Sequence, residues 1–238
     1  MIKSNLEAVK RKIAEAAKRA DRSVEEIKLI AVSKTFGADR ILEAYNAGIM
    51  DFGENRVQEA KEKIKALGAN MRWHLIGHLQ TNKASVAAKL FNVIHSVDSA
   101  QLADMLDEYY IGSANNERLE VLLQVNIGGE RQKGGVEPDE VIPTVKEILR
   151  LKKLNLSGLM TIPPYSEDKN VTRNYYKMLR EIRDDANEKL GENVLKELSM
   201  GMSGDYDVAI LEGATYIRVG TALFGERDYS DKRPLHNH

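Results

Sequence analysis

Ile27-Lys28-Leu29-Ile30-Ala31-Val32-Ser33-Lys34 is an almost unbroken apolar run that closes on a lysine. A run so rich in branched side chains reads as a strand of a parallel sheet covered on both faces, which has no need of polar alternation. A lysine at the carboxyl end of such a strand stands where open α/β sheets and α/β barrels place their chemistry. Burial there lowers the ammonium pKa, because the charged form loses hydration, and the neutral amine then attacks an aldehyde. The plainer alternative is a surface lysine that only marks the strand's end. Lys34 is the first candidate for tethering a carbonyl compound.

Working outward, further strand candidates fall at residues 49–53, 72–77, 92–97, 119–127, 154–162, 198–202 and 216–220. With the Lys34 strand these make eight. Amphipathic stretches between them predict helices starting near Ala38, Arg56, Asn82, Ala100, Pro138, Asn170 and Tyr206. Three carry start signals: Asn55 with Gln58, Asp98 with Gln101, and Pro138 in a first turn. Leu6, Val9, Ile13, Ala16 and Ala17, spaced among Lys and Arg, predict an extra helix at the N-terminus.

Eight strand–helix units in 238 residues match a (β/α)8 TIM-type barrel, which takes about 250 residues. A doubly wound sheet usually has fewer strands. No Pro/Gly/Ser-rich linker splits the chain, so the expectation is an α/β protein with one barrel domain over 1–226 and a polar tail over 227–238. The loop Gly128-Gly129-Glu130-Arg131-Gln132-Lys133-Gly134-Gly135 follows the fifth strand and is expected to be mobile on the active face.

Composition narrows the partners. Lys+Arg of 35 against Asp+Glu of 36 leaves a formal charge of −1, which favours neither nucleic acid nor an anionic membrane. With no cysteine there is no disulfide, thiolate metal site or cysteine nucleophile. No apolar stretch approaches the roughly 20 residues of a membrane span, and Met1-Ile2-Lys3-Ser4-Asn5-Leu6 lacks a signal-peptide core. A cytoplasmic protein is expected.

Other residues strengthen the Lys34 assignment. Barrels often hold a phosphate in the loops after strands seven and eight, on backbone N–H groups. Ser199-Met200-Gly201-Met202-Ser203-Gly204-Asp205 follows strand seven, and Gly220-Thr221 follows strand eight. Glycine allows close backbone approach, and the Ser203 and Thr221 hydroxyls are donors. Arg218, inside the eighth strand, either forms a salt bridge with a barrel carboxylate or donates to a ligand. Asn55 either caps a helix or faces the site. His74 and His78 lie on a strand and loop, and with His95, His236 and His238 they form no metal set. Met200 and Met202 read as barrel packing.

In order along the chain, Ala31-Val32-Ser33-Lys34, Phe52-Gly53-Glu54-Asn55, Trp73-His74-Leu75-Ile76-Gly77, Gly158-Leu159-Met160, Leu198-Ser199-Met200-Gly201-Met202-Ser203 and Arg218-Val219-Gly220-Thr221-Ala222-Leu223-Phe224-Gly225 resemble the YggS/PROSC family of pyridoxal phosphate homeostasis proteins. Their fold is that of the alanine racemase N-terminal barrel. The resemblance implies pyridoxal 5′-phosphate held as a Schiff base on Lys34, with its phosphate on Ser203, Gly220 and Thr221. It also implies Arg218 at the pyridine nitrogen and Asn55 near the ring. Thr35-Phe36-Gly37 departs from the pattern, since many relatives have lysine or tyrosine and then proline.

The function so implied is a carrier or buffer of vitamin B6, not an enzyme, with pyridoxal phosphate-dependent apoenzymes as possible recipients. Arginine at the ring nitrogen does not give up its proton, which weakens the cofactor's electron sink. A racemase also needs a second acid/base, supplied in alanine racemases by a partner subunit alongside a C-terminal β-domain. The chain leaves no room for that domain after strand eight, which points to a monomer. The alternatives are an amino-acid racemase or other pyridoxal phosphate enzyme, and, further off, a Schiff-base aldolase without cofactor. An inert scaffold would leave the lysine and the phosphate loops unexplained.

Overall fold

A computed structural model describes residues 1–68, 70–112, 117–130 and 133–226. Its eight described strands are β1 (Lys28–Val32), β2 (Asp51–Glu54), β3 (Arg72–Leu75), β4 (Val93–Val97), β5 (Leu119–Gln124), β6 (Leu154–Met160), β7 (Glu197–Met202) and β8 (Tyr216–Val219). They pair in sequence order, all in parallel, and β8 returns to β1 through Lys28↔Tyr216 and Ala31↔Val219 to close the barrel. The helices are α1 (Ile2–Arg19), α2 (Ala38–Asn46), α3 (Val57–Leu67), α4 (Ala84–Leu90), α5 (Ala100–Tyr109), α6 (Val141–Ile148), α7 (Lys169–Leu190), α8 (Tyr206–Leu211) and α9 (Thr221–Phe224). The expected (β/α)8 barrel and the extra N-terminal helix are both present.

Two cores follow from the strand period of two. Ala31, Phe52, Trp73, Ile94, Val121 and Leu159 point outward into the large cluster beneath the helices. Ile30, Val93, Leu122, Met160 and Tyr216 form a separate small cluster inside the barrel. Helix α1 lays Ile2, Leu6, Val9, Ile13, Ala16 and Ala17 against the barrel's helical layer. Asn5 Nδ2 donates to Leu223 O at 2.9 Å, and Arg22 Nη1 donates to Ile210 O at 3.1 Å and Ala214 O at 2.9 Å.

Several boundaries differ from those the sequence predicts. β1 stops at Val32, so Lys34 sits in the following turn. Arg56, not Asn55, occupies the N-cap of α3, and no side-chain cap bond forms there. Ser99, not Asp98, caps α5 by accepting from Leu102 N–H at 3.2 Å. Pro138 opens a single 3-10 turn, as its fixed φ favours, before α6 begins. Of the loop at 128–135, residues 131 and 132 lie outside the described set. Its described end is tied down by Gln124 Nε2 donating to Gly134 O at 2.5 Å and by Val136 N–H donating to Gln124 O at 2.9 Å. The tail at 227–238 also lies outside the described residues.

Gly158 explains one quoted motif. A Cβ there would stand 1.9 Å from the backbone oxygen of Glu197 on the neighbouring strand. No rotamer relieves a clash with backbone, so the β6–β7 ladder would have to spread. Gly158→Ala is expected to cost about 3 kcal/mol, read as a lower midpoint in urea denaturation.

Candidate functional site

A cavity of about 250 Å³ opens at the carboxyl ends of the strands, and Lys34, Asn55, Ser203, Arg218, Gly220 and Thr221 all line it. These are the six residues singled out from the sequence. Arg218 comes from β8 and the others from just beyond β1, β2, β7 and β8, at the end of the barrel where such folds keep their sites. Missed from the sequence were the apolar linings Val32, Phe36, Ile76 and Ile162, together with Met202. Met200 is buried in the core as expected, but Met202 faces the cavity instead of packing.

The Lys34 turn is held from outside the barrel. Lys63, on α3, donates to Ser33 O at 2.8 Å and to Glu54 Oε1 and Glu59 Oε1, each at 2.7 Å. Ser33 Oγ donates to the same Glu54 oxygen at 2.7 Å. Thr35 N–H donates to Glu59 Oε1 at 2.6 Å, and Thr35 has φ = +73°. A β-branched residue is seldom found there, because its Cβ crowds the backbone; surrounding bonds must hold it. Phe36 stacks on Phe224 with centroids 4.8 Å apart. The departure at 35–37 thus forms a braced turn whose first product is the placement of Lys34.

Across the cavity, Ser203 Oγ accepts from Gly220 N–H at 3.1 Å and from Ala222 N–H at 3.5 Å. This draws the β7 and β8 loops into one lip. On the β2 side, Gly77 lets β3 lie close, since a Cβ there would stand 2.4 Å from Asn55 O. Asn55 Oδ1 is buried without a partner, an expensive state for an acceptor lacking water.

Arg218 is 4% exposed. It donates from Nη1 to Ser199 Oγ at 2.6 Å and from Nη2 to Thr161 O at 2.8 Å. Among the described residues no carboxylate lies within ion-pair distance of it, so the salt-bridge alternative is not realised. Burial pushes its pKa down, against smaller upward pulls from Tyr176 and Asp205. A guanidinium buried among neutral acceptors is costly, and an acceptor or anion entering the cavity would offset that cost.

Among the described residues no group of three or more His, Cys, Asp or Glu side chains is placed to hold a metal. His78 sits 3.3 Å from Asp98, whereas His74 and His95 are fully buried inside the barrel. His236 and His238 lie outside the described residues. Among the described residues no helix is long and apolar enough to cross a membrane.

Comparison with known proteins agrees with this geometry. The family described as "Alanine racemase, N-terminal domain" matches residues 4–228. The pyridoxal phosphate homeostasis protein of Aquifex aeolicus is 44% identical over 225 residues, which is 94% of this chain and 97% of that one. Its counterpart from Haemophilus influenzae is 40% identical over 232 residues, covering 96% of this chain and 97% of its own. Among solved structures, Synechococcus elongatus PipY with PLP bound aligns at a TM-score of 0.80 and 36% identity, over 94% of this chain and all of that one. The Aquifex and Haemophilus relatives are named for homeostasis, not for a reaction. The chain belongs to the pyridoxal phosphate homeostasis proteins, within the alanine racemase N-terminal domain family.

Proposed function

We propose that this protein binds pyridoxal 5′-phosphate through Lys34 and serves as a carrier or buffer of the cofactor, with dependent apoenzymes as recipients. The observation that carries the proposal is the cavity in which an amine, an orphaned amide oxygen and a buried guanidinium hydrogen-bonded to neutral acceptors converge. Those groups fit the cofactor's parts: Lys34 its aldehyde, Ser203, Gly220 and Thr221 its phosphate, and Arg218 its ring nitrogen. The relatives' names, and the PLP-bound neighbour, support the same assignment.

Pyridoxal phosphate, when bound, supplies an aldehyde that condenses with primary amines and a ring that withdraws electrons. The protein's residues restrain that chemistry. Arg218 donates a hydrogen bond but keeps its proton, so the ring nitrogen stays uncharged. Among the described residues lining the cavity there is no His, Tyr, Cys, Asp or Glu to act as a second acid/base opposite Lys34. Both features favour a carrier over a racemase.

The test is a visible spectrum of the purified protein mixed with pyridoxal phosphate, before and after borohydride, with peptide mapping. The expected result is a yellow band that borohydride converts into a stable adduct on Lys34. A colourless protein, or an adduct on another lysine, would overturn the proposal. Steady turnover of an amino acid would replace the carrier with the racemase.

A further inference from the structure

Arg218 is the end of a line of hydrogen bonds that runs the length of the barrel interior. Its Nη1 lies 2.6 Å from Ser199 Oγ. Ser199 Oγ lies 2.8 Å from His95 Nδ1, His95 Nε2 is 2.9 Å from His74 Nδ1, and His74 Nε2 is 2.8 Å from Asp51 Oδ1. Ser199, His95 and His74 are fully buried. Asp51, the first residue of β2, is the one member that reaches solvent at the barrel floor, with its side chain 26% exposed.

Counting protons fixes the direction. Arginine only donates and a carboxylate only accepts. Asp51 therefore takes the proton on His74 Nε2, and a neutral His74 has Nδ1 as an acceptor. His95 must then donate from Nε2, which leaves its own Nδ1 as an acceptor for the Ser199 hydroxyl. Ser199 Oγ in turn accepts from Arg218. Four contacts use four protons, and no proton is left over along the line. With Asp51 ionised and both rings neutral, this is the one assignment that satisfies every contact.

A proton added to His95 would break the scheme. Its Nδ1–H would point at Ser199 Oγ, which already accepts from Arg218, and the serine proton would have no acceptor along the line. It would also place a second cation beside the guanidinium. The charged and titratable groups facing the two rings are Asp51 from β2, Arg72 from β3, Glu120 from β5, Arg218 and Tyr216 from β8 and Lys28 from β1, with the Tyr216 ring edge-on to both at 5.8 and 5.1 Å. Burial, the first cause for both rings, keeps their pKa values below the usual histidine range, and for His95 well below it.

We propose that Ser199, His95 and His74 are positioning residues for Arg218: a one-way hydrogen-bond line that lets the distant Asp51 carboxylate polarise the guanidinium and hold it aimed at the ring nitrogen of the cofactor. The proposal rests on the cofactor assignment above for its last clause only. It answers why a buried arginine tolerates having no carboxylate beside it. Besides the pull of Asp205, a second carboxylate, Asp51, is connected to it through three neutral side chains, each polarised by the next.

Two measurements test it, and the first needs no cofactor. In ¹⁵N-histidine NMR of the wild-type protein, His74 and His95 are expected to show the neutral Nε2–H tautomer. Neither should titrate between about pH 8 and about pH 5, where an ordinary histidine charges. An Nδ1–H tautomer on either ring, or ordinary titration, would overturn the direction of the line. In the second, Ser199→Ala removes the link to Arg218. It is expected to weaken pyridoxal phosphate binding about tenfold, as for a hydrogen bond to a charged group. It should also shift the absorption maximum of the bound chromophore, while Ser199→Thr, which keeps the hydroxyl, restores both. Wild-type affinity and spectrum in Ser199→Ala would refute the positioning role. A wild-type protein that takes up no pyridoxal phosphate would instead refute the cofactor assignment, and the NMR result would still decide the line.

Discussion

Lys34→Ala is expected to leave a folded protein that stays colourless with pyridoxal phosphate and gives no borohydride-stable adduct. Covalent attachment should fall to nothing, because alanine has no amine to condense with the aldehyde. The fold should survive because Lys34 lies in the turn after β1, partly exposed, and belongs to neither core cluster. The bonds to Ser33 O and from Thr35 N–H that brace the turn are left in place by the substitution. A stability change within about 0.5 kcal/mol is typical of such a position. Absorbance and a circular-dichroism melt on the same sample separate the two claims. A retained yellow adduct would move the attachment elsewhere, and a collapsed melt would make Lys34 a structural residue.

Lys63→Met should cost about 3 kcal/mol of stability, as expected when one member of a buried ion pair is removed. Lys63 satisfies Glu54, which is fully buried and whose Oε2 already lacks a partner. Methionine keeps the length and apolar volume, so the loss is electrostatic and not a cavity. Burial holds the Glu54 pKa above its ordinary 4.5 even though Lys63 pulls it down, and without Lys63 it rises further. A carboxyl whose folded pKa is raised contributes stability below its unfolded pKa, and that contribution is lost as pH rises through the folded value. The deficit of the variant should therefore be largest near neutral pH and shrink as pH falls towards 4.5. Urea unfolding at the two ends of that range checks it, and an equal deficit at both would exclude a charge on Glu54 as the cause. Adding Glu54→Gln should recover part of the loss, since the pair then no longer leaves a bare charge.

Much of this was legible in the chain. The eight short apolar runs gave the barrel because parallel strands covered on both sides carry a strong, continuous signal, and the helices began within a few residues of their predicted starts. Strand ends were less legible: Ser33 N–H still donates to Gly53 O at 3.0 Å, yet β1 ends at Val32 and Lys34 lies in the turn beyond. The Asn55 and Asp98 caps failed because capping depends on backbone angles one residue either side, which Arg56 and Ser99 supply instead. Lys63 was invisible as a buried residue, since a lysine on a helix is ordinarily solvated. The line through His74, His95 and Ser199 was half visible. Counting back by twos from Lys34 and Arg218 gives Val32, Ile30 and Tyr216 as inward positions, and the same period puts His95 inward beside Val93. What no period shows is which inward side chains from five different strands meet.

The pairing of β1 with β8 joins residues 188 positions apart, Lys28 and Tyr216. Lys34 stands on one side of this seam and Arg218, Gly220 and Thr221 on the other, so the ligand cavity straddles the joint where the barrel shuts. Pairing so remote in sequence is slow to form, because loop-closure entropy is lost before any contact repays it. The site is therefore among the last parts of the molecule to exist during folding, and a nascent chain has none until its eighth strand arrives. A ligand that grips both sides works as a clasp on that joint. Its binding energy is added to the cost of opening the barrel there, so occupancy is coupled to the lifetime of the fold itself.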